Sequence, residues 1–263
     1  MIELVEGVVG APVTLDELKH KPGRRRTLRA SGPQGTAIVK LYESDRAALV
    51  AARLRALEDG PDEPVVPVVL AVDAAARVLV LRDVAGVPLR DALLAGDALK
   101  CGRVGNALAG WHEAWRARSP APLRPHPVER ELEILERWAA HAPAAIGDTV
   151  RDQAPVVGVP WVCTTVVHRD LYEEQVLLDT RVGLIDLDDV ALGPPELDLG
   201  NLWAHADLLA LRRGRHDVDA LVRALLDAYG DVDGDLLRGC RALSRLRLAC
   251  IHTEPALLTP PPR

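Results

Sequence analysis

The chain has 263 residues, 48% of them hydrophobic, enough to bury a large core as one domain or two lobes. A formal net charge of −6 removes the electrostatic case for nucleic acid or an anionic membrane as partner. The acidic start MIELVEG is unlike a secretory signal, and the longest apolar run, residues 65–72, contains Pro67 and is too short for a bilayer. Cys101, Cys163, Cys240 and Cys250 lack C-x-x-C spacing, so no structural zinc and a cytoplasmic setting are expected.

Residues 13–40 read as strands and turns, with 26–31 extended and 36–42 (TAIVKLY) a stronger, β-branched strand. Turns fall at His20-Lys21-Pro22-Gly23-Arg24 and at Ser31-Gly32-Pro33-Gln34-Gly35. Ser44 or Asp45 is placed to cap a helix running to about Glu58, with Leu49, Ala52, Leu54 and Leu57 on one side. Residues 65–72 and 77–81 read as two more strands. From Asp91 onward the pattern is mostly helical. A helix over 97–117 places Leu108, Trp111 and Trp115 at helical spacing, a Pro-rich break spans 120–127, and an acid-rich helix covers 128–141. Further helices are expected near 199–213, 218–229 and 235–251, and 259–263 (TPPPR) cannot be helical. With no Phe in the chain, the core must rest on Leu, Val and Trp.

One constellation stands out between Val166 and Asp198: His168-Arg169-Asp170, Gln175, Ile185-Asp186-Leu187-Asp188, Gly193 and Asp198. Short apolar runs bracket the acids and can hold them rigidly in a cleft. A carboxylate, an amide five residues on and a second carboxylate eleven beyond that suit phosphoryl transfer. One acid orients a hydroxyl and accepts its proton, while the amide and the second acid hold Mg²⁺ against ATP phosphates.

HRDLYEEQVLL followed by GLIDLDD resembles the catalytic and metal-binding segments of the protein-kinase-like fold. The ending GLIDLDDVALGPPELDLGNL, with Gly193, Pro195, Asp198 and Leu199, is closer to aminoglycoside phosphotransferases and related small-molecule kinases than to protein kinases. The resemblance implies a two-lobed α/β (α+β) fold. Its N-lobe, residues 1–82, would hold an antiparallel sheet and one helix, and its C-lobe, residues 83–263, would be mainly helical. It also implies ATP (GTP is the alternative) and Mg²⁺ as cofactors. The acceptor would be a small molecule: an aminoglycoside-like or peptide antibiotic, a sugar or an amino alcohol.

On that resemblance Asp170 orients the acceptor hydroxyl, and Asp186 is a Mg²⁺ ligand. Gln175 replaces the usual Asn and can still offer its amide oxygen to metal. Asp188 and Asp189 admit two readings, a metal or substrate ligand and a solvated turn acid. Lys40 ends the TAIV strand where the family places its phosphate-contacting lysine, and adenine would lie at a hinge near Arg82–Val84. The family's following helix usually supplies a Glu to that lysine. Here the helix has acids only near its ends (Glu43, Asp45, Glu58), which motivates the alternative of a weak or inactive nucleotide-binding pseudokinase. Lys21, Gly23 and Arg24 form a candidate phosphate-covering turn, with a plain basic hairpin as the alternative. Arg24, Arg25 and Arg26 alternate along a strand and cannot all face one site. His168 and Asp198 are expected to support the catalytic loop, Asp198 also as a possible N-cap, and His112 to be a packing histidine. Six acids (Glu129, Glu131, Glu133, Asp189, Glu196, Asp207) could meet a cationic acceptor or form solvated faces.

Overall fold

The computed structural model describes residues 1–116, 118–215 and 217–259. Ala117, the expected end of the 97–117 helix, and residues 260–263 of the expected non-helical tail lie outside the described residues.

The chain opens with a helix, α1 (Ile2–Val9), and then builds a five-stranded antiparallel sheet. Its strands are β1 (Thr14–Lys21), β2 (Arg25–Gly32), β3 (Gly35–Tyr42), β4 (Val69–Asp73) and β5 (Val78–Arg82), in the order β1-β2-β3-β5-β4. Helix α2 (Ala47–Arg55) lies between β3 and β4. The expected succession of three strands, a helix and two strands is observed. The period-two alternation gives the sheet two different faces. Leu28, Ala30, Ala37, Val39, Val78 and Val80 pack with Val5 and Val9 of α1 in one cluster. Arg25, Lys40 and Tyr42 sit on the opposite face, where register pairs Arg25 with Tyr42 and Thr27 with Lys40.

Several local expectations are corrected. Helix α1 was not anticipated, because its eight residues carry only Val5 and Val9 as buried anchors. Neither Ser44 nor Asp45 caps α2; the N-cap is Arg46, without a side-chain cap bond. The buried face of α2 is Ala47, Val50, Ala51 and Leu54, and Leu49 is exposed.

The helical part contains α3 (Leu89–Ala95), α4 (Ala98–Ala114), α5 (Val128–Ala139), α6 (Ala144–Val157), α7 (Pro195–Arg213), α8 (Val218–Tyr229) and α9 (Gly234–His252). Helix α6 was also missed. Pro143 and Pro155 punctuate its sequence, yet Pro143 is its N-cap and Pro155 lies in its last turn. Short strands interrupt the helices. The strands β6 (Val87–Pro88), β8 (Val176–Leu178) and β9 (Val182–Leu184) form one ribbon, and β7 (Thr165–Val167) pairs with β10 (Ala191–Gly193). The main core joins α2 and β5 to α4, α7, α8 and these ribbons. A backbone clasp holds the sheet region to β9: Val65 N donates to Val182 O, and Leu184 N to Val65 O, each at 2.8 Å.

Helices α4 and α8 touch at Gly105, where an added Cβ would lie 2.1 Å from Leu225 O. Alanine favours an exposed helix over glycine by about 1 kcal/mol. Gly105→Ala is nevertheless expected to destabilise the protein by roughly 1–3 kcal/mol, because the helices must part. Denaturant titration measures this, and an unchanged or higher midpoint would contradict the close approach.

Candidate active site

The loop from His168 to Gln175 joins β7 to β8, and Asp186 lies two residues after the end of β9. The two ribbons therefore bring Asp170, Gln175 and Asp186 to one place, as the motif spacing implied. Ile185 N donates to Gln175 O at 2.9 Å, and Gln175 Nε2 donates to Asp186 Oδ2 at 3.3 Å. Arg169 and Asp186 hold φ of 72° and 62°, two of the four positive-φ non-glycine residues among those described. Such backbone is uncommon outside glycine and persists where surrounding contacts over-determine it.

Those contacts are the supports beneath the loop. Asp198, in the first turns of α7, accepts from His168 N at 2.7 Å and from Arg169 N at 2.8 Å. It also meets His112 Nε2 at 3.3 Å, and His112 Nδ1 lies 3.0 Å from Tyr229 Oη. The possible N-cap role is not observed, since Pro194 is the N-cap of α7. His168 Nδ1 accepts from Asp170 N at 3.3 Å, which leaves Nε2 to donate to Ile185 O at 2.8 Å. One imidazole thus bridges the segments carrying Asp170 and Asp186.

Lys40 lies on the sheet face turned to this loop. Its Nζ donates to Asp186 Oδ1 at 3.0 Å and to Asp188 Oδ1 at 2.5 Å. The acidic partner missing from α2 is therefore supplied by the Asp186–Asp188 segment. Arg25 joins the same pair, with Nη1 donating to Asp188 Oδ2 at 2.6 Å and Nη2 to Asp186 Oδ1 at 2.5 Å. Tyr42 Oη donates to Asp188 Oδ2 at 2.9 Å. Burial alone would raise the Asp186 pKa, but Lys40 and Arg25 outweigh it and hold the carboxyl well below its usual range. Burial alone would lower that of Lys40, but the two carboxylates raise it. Both groups are held in their charged forms. The polarity of α2 is reversed from the family expectation: Arg53 Nη1 donates to Asp188 O at 2.8 Å, and Arg46 Nη2 to Asp189 Oδ1 at 2.7 Å.

The remaining candidates fall around this centre. Lys21, at the end of β1, is half-buried; burial lowers its pKa, and Asp186 and Asp170 act against that. The turn after it is closed by Arg24 N donating to Lys21 O at 3.0 Å. Gly23 has φ 72°, and its N–H donates to Glu43 Oε1 at 3.1 Å. Arg24 and Arg26 are exposed while Arg25 is buried, which is the alternation expected. Arg82 is exposed at the end of β5. Val84 packs over β9, where a Cβ on Gly183 would come within 2.6 Å of its Cγ1.

The residues missed from the sequence are Arg25, Tyr42, Asn201 and Arg247. Tyr42 shares the parity of Lys40 and was legible; Arg25 requires the β2–β3 register. Asn201 Nδ2 donates to Leu171 O at 2.7 Å, and Arg247 of α9 donates to Asn201 Oδ1 at 2.5 Å and to Glu131 Oε1 at 3.0 Å. Arg247 also lies 4.0 Å from Asp170 Oδ1. Tyr172 of the loop stacks on His205 of α7 at 4.6 Å.

The acids considered for a cationic acceptor are largely committed. Glu131 is buried against Arg247 and His126, Asp207 is held by Arg241 and Arg245, and Asp189 pairs with Arg46. Glu196 accepts from Asp233 N, and Glu133 pairs with Arg130. A cavity of about 400 Å³ beside the start of α7 is lined by Glu196 among these acids and by none of the catalytic, nucleotide or metal candidates.

Asp186 and Gln175 offer hard oxygen donors of the kind Mg²⁺ takes, and Mg²⁺ commonly rests on one or two protein groups while phosphates and water complete its shell. Among the described residues no group of three or more His, Cys, Asp and Glu side chains is arranged to hold a metal alone. The donor set fits a metal brought with a polyphosphate. No helix among the described residues is long and apolar enough to cross a membrane.

The model of a phosphotransferase enzyme family matches residues 23–243, a span that includes every predicted site residue except Lys21. No curated protein matches the chain significantly. Solved structures share its fold. A spectinomycin phosphotransferase, determined with ADP and spectinomycin, superposes with a TM-score of 0.68 at 16% identity over 98% of this chain and 87% of its own. An aminoglycoside phosphotransferase from Streptomyces rimosus gives 0.66 at 20% identity over 94% and 97%. A choline kinase from Cryptosporidium parvum gives 0.62 at 11% identity over 94% and 84%.

Glu131 provides a pH test of the supports. Burial would raise its carboxyl pKa, but Arg247 and the His126 hydrogen bond hold it at about 2, below its ordinary 4.5. A depressed folded-state value means that the pairing stabilises fully above pH 4.5 and is lost as pH falls toward 2. This contribution is on the order of 3 kcal/mol. Glu131→Gln is expected to flatten the stability–pH curve across that window, and an unchanged slope would show that the pair is not formed.

Proposed function

Since the chain belongs to the phosphotransferase enzyme family, we propose that it transfers the γ-phosphoryl group of ATP, taken with Mg²⁺, to a hydroxyl of a small molecule. The cleft would lie between an N-lobe of residues 1–82 and a C-lobe of residues 83–263. The observation that carries this reading is the Lys40–Asp186 pair at 3.0 Å, which brings the sheet's lysine onto the acid beside Gln175.

In this reading Lys40 steadies the phosphates, and Asp186 and Gln175 would hold Mg²⁺ where its charge would offset that of the transferring phosphoryl group. Asp170 has a half-exposed side chain whose one ion-pair contact among the described residues is Arg247, at 4.0 Å. It orients the acceptor hydroxyl toward the phosphorus and takes its proton late in the transfer. Lys21 and Arg24 cover the phosphates from the turn, while Gly23 shapes that turn and its N–H is engaged by Glu43. Arg82 and Val84 flank the adenine. ADP in the solved spectinomycin phosphotransferase supports an adenine nucleotide over GTP.

The acceptor would lie between Asp170 and the stacked Tyr172–His205 pair. Aminoglycoside-like and peptide antibiotics, sugars and amino alcohols remain its classes. The internal pairing of Glu131, Asp189 and Asp207 favours those with few cationic groups. The pairing of Lys40 with Asp186 and Asp188 also weakens the main motive for a pseudokinase.

A screen of such acceptors with labelled ATP, detecting phosphorylated product, tests the activity. Asp170→Asn is expected to lower kcat about 10²–10⁴-fold while changing the Kd for ATP–Mg²⁺ by less than about threefold. Undiminished turnover would remove Asp170 from the mechanism. The absence of any thermal shift with ATP–Mg²⁺ in the native protein would overturn the nucleotide site itself.

A further inference from the structure

Two members of the buried ion network, Arg25 and Asp188, have no role in the reaction as described so far. Asp188 is 1% exposed. Its carboxylate already accepts from Lys40 at 2.5 Å, Arg25 at 2.6 Å and Tyr42 at 2.9 Å, all from the sheet. Its backbone oxygen is held by Arg53 of α2 at 2.8 Å. Asp186 also accepts from Lys40, Arg25 and Gln175, so it is exposure that separates it from Asp188. The Asp188 side chain is 2% exposed against 15% for Asp186, so only Asp186 keeps an open edge.

Arg25 is held as a fork. Nη1 is anchored on Asp188, and Nη2 points at Asp186. Guanidinium groups bind phosphate through the same paired N–H geometry that they use for carboxylate. The charges also decide the matter. Lys40 and Arg25 balance Asp186 and Asp188, two against two. Once Asp186 serves a metal, the two cations share only Asp188, and one positive charge remains for an anion. The Asp186-facing edge of Arg25 is where that charge is presented.

We infer that Arg25 is a second phosphate-binding cation of the nucleotide site, and that Asp188 is the positioning residue that holds both Arg25 and Lys40 rather than a metal ligand. This rests on the reading of the cleft as a nucleoside-triphosphate site. Asp188 then does from the metal-bearing segment what the helix carboxylate does in the family pattern, while α2 contributes arginines that fix Asp188 and Asp189 from the other side.

The test is calorimetric binding of adenosine, ADP and ATP, with Mg²⁺ varied, to the native protein and to Arg25→Met, Asp188→Asn and Tyr42→Phe. Arg25→Met is expected to weaken ATP–Mg²⁺ about 10–100-fold, since it removes a charge-assisted bond. Adenosine binding should stay within about twofold, because adenosine carries no phosphate. Asp188→Asn is expected to weaken ATP in the same sense while leaving the half-saturating Mg²⁺ concentration unchanged. Asp186→Asn should raise that concentration. Should Asp188→Asn not fold, Tyr42→Phe removes a single donor to the same carboxylate and is expected to weaken ATP about threefold without affecting adenosine.

Equal weakening of ATP and adenosine by Arg25→Met would make Arg25 merely structural, and unweakened ATP would remove it from the site. A raised Mg²⁺ requirement in Asp188→Asn, with ATP affinity unchanged at saturating Mg²⁺, would return Asp188 to the metal. Loss of ATP and ADP binding in the native protein would instead overturn the nucleotide-site reading, and this inference with it.

Discussion

The contact on which the rest of the site depends is the four-membered ion network of Lys40, Arg25, Asp186 and Asp188. It is the ionic link between the sheet's inner face and the loops of the helical part. Buried ion pairs seldom add net stability, because desolvation of each charge offsets much of the Coulomb gain. Breaking one by removing a single partner is costly, at about 3–5 kcal/mol. The network is therefore better understood as a device of position: it sets where two cations and two carboxylates stand relative to one another. The clasp from Val65 to β9 serves the same end through the backbone.

A second layer supports the loop from below. Asp198 satisfies two consecutive backbone N–H groups, His168 spans the acid-bearing segments, and Asn201 with Arg247 fixes Leu171. The supports come from α7, which carries both Asp198 and Asn201, from the loop itself, and from α9, which carries Arg247. The left-handed backbone at Arg169 and Asp186 is sustained by this over-determination. Glu131 and His126 extend the chain of contacts to α5, so a residue far from Asp170 in sequence shares its electrostatic environment.

Much of this was legible in the amino-acid order. HRDLYEEQ and GLIDLDD singled out Asp170, Gln175 and Asp186 as candidates, and the resemblance singled out Lys40 at the end of TAIV, which the fold sets on the sheet's inner face. The helix over 218–229 has the expected bounds. What escaped notice shares one physical cause, dependence on partners distant in sequence. Arg25 becomes a site residue only through the pairing of β2 with β3, and Asp188 ceases to be a turn acid only when Tyr42 and Lys40 close over it. Helix α1 owes its existence to the sheet face that it covers. Its eight residues carry little signal of their own. Arg247 looked like one basic residue among many in a helix, and only the fold brings it to Asn201.

The reversed polarity of α2 alters how force would travel through this molecule. Where a helix grips a lysine, swinging the helix outward strips the lysine of its counter-charge. Here Arg46 and Arg53 grip the acid-bearing turn, so the helix reaches Lys40 only through Asp188. A wedge driven behind α2 would drag on residues 188–189 and, through Asp188, on Lys40, Tyr42 and Arg25 of the sheet. The lever in this protein is attached to the anions.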